Sequence, residues 1–335
     1  MRAAVMQGLQ KPLSVETVPD PEPGEGEVVV KVGRCGICGS DLHMTEDPAY
    51  GQGAGSILGH EFAGEIVELG KRVEGLAKGD LVAVSPLKSC GRCPACLAGN
   101  VSWCEGFGLQ GGGYAEYALT KPNQCVKLPK SASLADGAII EPLAVALHGV
   151  AMAGMHIGDK VLVLGAGPIG LAAAFWARRM GAGRVVVQDV ATWQQDRALA
   201  MGAHDFVADR TDPIGAAERA LGGKADVVFE CVGVPGLIAQ AVEQVRARGT
   251  IVLLGLCTVP DTFNSFAMLS KEVRLVTSAF FTAHEYRAAL DALDRGAAEP
   301  RLLVTETIPL ASTPTVFEAL RRRTQQCKVL IAPGT

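Results

Sequence analysis

The chain has 335 residues, 48% of them hydrophobic, which is enough for two domains with substantial cores and excludes a disordered polymer. A net charge of −4, with no long run of one sign, excludes the basic face of a nucleic-acid protein. Only 5% of residues are aromatic, so platforms for stacking bases are not expected either.

The first ten residues, MRAAVMQGLQ, lack the apolar run and small-residue cleavage site of an export signal. Through residue 140 the chain reads as short strands and turns. EVVVKVG (27–33), EIVELG (65–70) and DLVAVSP (80–86) are β-branched runs closed by glycine, aspartate or proline, and their spacing predicts a barrel-like β domain. From about residue 147 strands alternate with helices. VLVLG (161–165), RVVVQD (184–189), DVVFE (226–230), TIVLLG (250–255) and VRLVTSA (273–279) are separated by amphipathic stretches such as 192–202 and 236–247. That alternation predicts a doubly wound parallel sheet. A helix, HEYRAALDAL, and a final strand, KVLIAP, close the sequence. The longest uncharged apolar run, residues 161–177, is shorter than the roughly 20 residues of a membrane helix. No membrane partner is expected. The location is read as cytoplasmic and the ten cysteines as reduced, which favours metal binding over disulfides.

GAGPIG (165–170) fits G-x-G-x-x-G between a strand and a helix, the context a dinucleotide site requires. Gly165 suits a tight turn, Gly167 the approach of a pyrophosphate and Gly170 helix–strand contact, with the phosphates on the helix N-terminus. Asp189 ends the next strand, where a carboxylate accepts from ribose hydroxyls and repels a 2′-phosphate, so NAD is expected over NADP.

Two metal sites are expected. Cys90, Cys93, Cys96 and Cys104 lie in one loop, spaced to wrap a zinc ion with no coordination position left open, which marks a structural site. CGICGSDLH (35–43) and GHE (59–61) bring thiol, imidazole and carboxylate from separate segments, as an open catalytic zinc site does.

CGICGSD, GHE, the four-cysteine loop, GGYAEYA (112–118), EPLAVALH (141–148) and GAGPIG occur in an order that resembles the zinc-dependent medium-chain dehydrogenase/reductase (alcohol dehydrogenase) family, nearest its sorbitol/butanediol/threonine branch. The resemblance implies an α/β protein: a GroES-like β-rich catalytic domain (1–146, carrying the zinc loop 90–104), a Rossmann doubly wound parallel sheet binding NAD (147–283), and a return to the catalytic domain (284–335). It implies Cys38 and His60 as catalytic zinc ligands, with Glu61 or Glu141 completing the set. Asp41 would orient a ligand imidazole, and Ser40 and His43 would carry the proton. Pro168 and Ile169 fall in the phosphate-binding turn. Gln194 and Arg197 stand where the adenosine is bound, and Leu254, Gly255 and Leu256 where the carboxamide is.

Met44, Phe280 and Phe281 stand at positions that line the substrate pocket of polyol dehydrogenases. Apolar there, they point to a secondary, hydrophobic or cyclic alcohol interconverted with its ketone. A polyol, 2,3-butanediol or threonine substrate is the alternative, and a non-catalytic structural relative a remote one. The family also implies a homodimer or homotetramer built by pairing sheet edges.

Overall fold

The computed structural model describes residues 1–322 and 324–335. The chain forms two compact units. One comprises Met1–Glu141, Thr282–Ala297 and Val304–Thr335; the other comprises Pro142–Phe281 and Ala298–Leu303.

The first unit is built on a seven-stranded sheet. Its order is Val304–Pro309, Lys328–Ala332, Val28–Gly36, Glu61–Leu69, Leu81–Val84 and Cys125–Lys127, with Tyr117–Thr120 also paired to Val28–Gly36. The central strand, VVVKVGRCG, is broken by register shifts at Val29/Val30 and Val32/Arg34. Such bulges bend a strand and increase its twist, as closure of a barrel-like sheet requires. Its core gathers Val30, Phe62, Ile66, Val84, Tyr114, Phe317 and Ile331. The last strand joins from the far end of the sequence, and the Ile37 N–H donates to the Val329 carbonyl at 2.9 Å.

The second unit holds six parallel strands in the order Asp205–Val207, Arg184–Gln188, Lys160–Leu164, Ala225–Glu230, Val245–Leu253 and Arg274–Thr277. Numbered from the first, that is 3-2-1-4-5-6, the dinucleotide-binding order. Its central strands read VLVL, VVV and VVF because helices cover both faces of a parallel sheet, so successive side chains are all buried. Helix Pro168–Arg179 starts with proline, whose missing N–H costs nothing in the first turn, and buries Leu171 through Ala177.

Candidate active site

The glycine turn of the second unit is built as its sequence demands. Gly165 has φ +96°, a conformation that side chains rarely adopt. A Cβ on Gly170 would lie 1.9 Å from the Gly165 carbonyl oxygen, so helix and turn approach only through glycine. Gly167 caps the helix that begins at Pro168 and Ile169. Asp189 stands beside this turn, its carboxylate accepting from the Ala166 N–H at 2.8 Å and the Ala191 N–H at 3.1 Å. Arg197 donates to the Gln194 side-chain oxygen and, at 2.7 Å, to the Leu302 carbonyl. The Leu254 and Gly255 N–H groups both donate to the Glu230 carbonyl at 2.8 Å, and Leu256 is exposed.

In the first unit the Sγ atoms of Cys90, Cys93, Cys96 and Cys104 all lie within 4.8 Å of one another. Backbone N–H groups point at them: Cys93 to the Cys90 sulfur at 3.3 Å, Cys90 and Gly106 to the Cys104 sulfur at 3.2 and 3.3 Å. N–H donors from Arg92 and Cys93 push the Cys90 thiol down to about 6, whereas burial and its neighbouring thiols push Cys96 up to about 11. Four crowded sulfurs cannot all ionise without a cation between them, and a tetrathiolate zinc ion fits this donor set.

The second cluster is Cys38, His60 and Glu61, with their ligand atoms again within 4.8 Å of one another. Cys38 precedes the short helix Gly39–Met44, and His60 and Glu61 enter the strand Glu61–Leu69. Gly59, at φ +87°, makes that entry possible, since a Cβ there would strike the Tyr114 ring at 2.4 Å. The Ser40 hydroxyl lies 3.2 Å from the Cys38 sulfur and 3.4 Å from His60 Nε2, while His43 is half-buried on the same helix. Beneath the cluster Asp41 is fully buried. It receives the Tyr114 hydroxyl at 2.6 Å, the Cys38 N–H at 3.1 Å and the Gly59 N–H at 3.4 Å, and faces His60 Nδ1 at 3.1 Å.

Burial alone would raise the Asp41 pKa, but His60, Tyr114 and the Cys38 N–H outweigh it and hold the carboxyl below its usual range. Burial likewise pulls His60 down, and Asp41 and the Cys38 sulfur more than reverse it. Asp41 thereby fixes the ring with Nε2 turned toward Cys38, an arrangement that suits a soft divalent cation.

The two candidate glutamates differ. Glu61 belongs to the cluster and is paired with Lys328, whose ammonium lies 2.7 Å from its carboxylate and 2.9 Å from the Ile37 carbonyl. Glu141 lies outside the cluster; burial pushes it up to about 7, against the pull of His60. Tyr114 and Lys328 are the participants the sequence reading missed. Tyr114 lay within a recognised motif but had no assigned role. Lys328 offered one signal: a lone charge opening an otherwise apolar strand whose five residues are all buried. Of the expected pocket residues, Met44 and Phe281 are 6% and 1% exposed, and Phe280 is half-buried at φ +61°.

A dinucleotide-type sheet and an open Cys–His–Glu cluster define a metal-dependent dehydrogenase. Residues 24–130 match the alcohol dehydrogenase GroES-like domain, and residues 168–295 match the zinc-binding dehydrogenase domain. The chain is 31% identical to a sorbitol dehydrogenase of Bacillus subtilis, covering 100% of this chain and 98% of that one. An Escherichia coli alcohol dehydrogenase solved with NADH superposes with a TM-score of 0.90 at 28% identity, covering 99% of each chain. The 2R,3R-butanediol dehydrogenase of Bacillus subtilis does so with a TM-score of 0.87 at 30% identity, again over 99% of each chain. The chain belongs to the zinc-dependent medium-chain alcohol dehydrogenase family, and it is a zinc-type alcohol dehydrogenase.

Proposed function

We propose that this enzyme interconverts a secondary alcohol carrying further hydroxyl groups and its ketone, using NAD. The observation that carries the reading is the Cys38–His60–Glu61 cluster, with a polar cavity that reaches its His60. That cavity, of about 390 Å³, is bounded by Asp41 and His60 and lined in part by Gln52, Ser56, Lys88 and Gln110. Amide and hydroxyl groups suit a polyol, because each buried substrate hydroxyl then finds a partner. The hydrophobic secondary alcohol expected from the sequence is the less favoured reading, since Met44 lines this cavity beside the amide, hydroxyl and ammonium groups named above.

Cys38 and His60 would hold the catalytic zinc, with Glu61 completing the set while paired to Lys328 and Glu141 held in reserve. Cys90, Cys93, Cys96 and Cys104 would hold the structural ion. When bound, zinc supplies a Lewis acid that acidifies the substrate hydroxyl, and NAD+ supplies the hydride acceptor. Ser40 stands beside both ligand atoms to take the hydroxyl proton, and His43 is the onward acceptor. Asp41 keeps the His60 tautomer fixed. Asp189, beside the glycine turn, would receive the ribose hydroxyls and disfavour a 2′-phosphate.

Strand Arg274–Thr277 is one of the two edges of the parallel sheet, with Phe266 and Leu269 exposed nearby in sequence, which suits a homo-oligomer paired edge to edge; the enzyme would act in the cytoplasm. The test is turnover of a panel of polyols, 2,3-butanediol and hydrophobic secondary alcohols with NAD+ and NADP+. A preference for polyol and NAD+, lost toward NADP+ in Asp189→Ser, supports the reading; a preference for cyclic hydrophobic alcohols refutes the substrate class.

A further inference from the structure

The cavity against Asp41 and His60 holds a charge the reaction does not need. Its apolar wall is Met44, Ile57, Leu58 and Leu109, and its polar wall includes Lys88. Lys88 belongs to the two-residue strand Leu87–Lys88, paired with Gly108–Leu109. Leu87 is 2% exposed in the core, and side chains alternate along a strand, so Lys88 turns the other way, toward solvent and the cavity.

The charges around this cavity do not balance among the described residues. Asp41, the acid in the wall, is already committed to His60, Tyr114 and two backbone N–H groups. Among the described residues no ion pair or side-chain hydrogen bond engages Lys88, which is exposed. A neutral polyol would be served by Gln52, Ser56 and the Oε1 of Gln110, whose Nε2 already donates to the Gly111 and Leu119 carbonyls. An unpaired ammonium beside them favours a ligand that brings its own negative charge, because a charge-assisted hydrogen bond is about twice as strong as a neutral one. The cavity volume falls within the usual range for small-ligand sites, about 300–1,000 Å³.

We infer that the substrate is an anionic polyol, a chain of secondary alcohols ending in a carboxylate or a phosphate, and that Lys88 is the residue that selects it. The inference rests on the proposed alcohol dehydrogenase reading and deepens it. Lys88 binds the anion and the reacting carbon lies toward His60. That carbon gives up a hydride to NAD+ and its hydroxyl gives up a proton to solvent. The products are the keto acid or keto phosphate, NADH and a proton, and the anionic group is unchanged.

The experiment uses the zinc-loaded enzyme with NAD+ at one fixed ionic strength. The probes are glucitol, galactitol and mannitol, the hexonates of the same configurations, and the corresponding hexitol phosphates. At least one hexonate or hexitol phosphate should show kcat/KM tenfold or more above its neutral parent, and the carboxylate and phosphate arms identify which anion is read. Lys88→Met should lower kcat/KM for that anion at least tenfold more than for the neutral hexitol, chiefly through KM, and Lys88→Arg should keep the preference. Neutral hexitols turned over as well as every anionic counterpart would overturn the inference and leave the dehydrogenase reading standing. So would a Lys88→Met variant that loses equally on both. Absence of turnover for every hexitol, hexonate, hexitol phosphate and 2,3-butanediol with either cofactor would overturn the underlying reading, and the inference with it.

Discussion

Replacing Tyr114 with phenylalanine removes one oxygen atom and little else. The ring is fully buried and meets Phe317 edge-on, with centroids 6.3 Å apart, so its packing survives the change. The lost group is the hydroxyl that donates to Asp41 at 2.6 Å. A hydrogen bond to a charged group contributes about 1.5–3 kcal/mol. Asp41 keeps His60 and two backbone donors, so the cost should fall near the middle of that range, about 2 kcal/mol, or roughly thirtyfold in the opening equilibrium.

With two compact units a single unfolding free energy is ill-defined, so residue-resolved hydrogen exchange is the right measurement, read at core amides such as Val30 and Ile66. The effect should depend on pH. The Asp41 pKa is lowered in the folded state, so the stabilisation is present above the ordinary carboxyl value, about 3.9, and is lost as pH falls through the folded value. A loss under about 0.5 kcal/mol at neutral pH would refute the claim that the phenol supports a buried carboxylate.

Lys328→Met should be more damaging, because it leaves Glu61 buried without its counter-charge; breaking such a pair costs about 3–5 kcal/mol. Lys328→Met/Glu61→Gln should recover part of that loss in thermal melts, and no recovery would show that the pair is not coupled. Burial lowers the Lys328 pKa but Glu61 more than reverses this, so the pair's contribution should hold throughout neutral pH and fade only above about 10.4. Cys90→Ser should lower the zinc content by one equivalent per chain while the Cys38 site stays loaded, as elemental analysis would report. Asp226 is held below the usual carboxyl range because Arg246 and the Lys160 N–H outweigh the effect of its burial; Asp226→Ala should cost about 1–2 kcal/mol at pH 7 and less as pH falls through its folded value, measured by exchange at Val228.

The parallel sheet was largely legible because strands buried on both faces must be apolar throughout, as in Val161–Leu164 and Val185–Val187. Strand Asp205–Val207 escaped notice because it has three residues and opens with a charge at the sheet edge. Strand Val245–Leu253 begins five residues before the expected TIVLLG run, because Arg246, Ala247 and Arg248 are exposed and carry no core pattern. In the other unit, Val304–Pro309 was hidden for a similar reason: Glu306 and Thr307 are exposed and carry no core pattern. Ligand-like residues show themselves by chemical type and spacing, so both cysteine clusters could be read in advance. Tyr114 and Lys328 could not, because what matters about them is a partner 73 and 267 positions away in the chain.

That longer span has a consequence for biosynthesis. The ammonium that balances Glu61 emerges from the ribosome after the whole six-stranded sheet has been made. Until then the thiol, the imidazole and the acid next to it are present on a nascent chain that still lacks their neutralising strand. The cysteine loop has no such wait: its four sulfurs arrive within fifteen consecutive residues, so its donors gather by closing short loops alone.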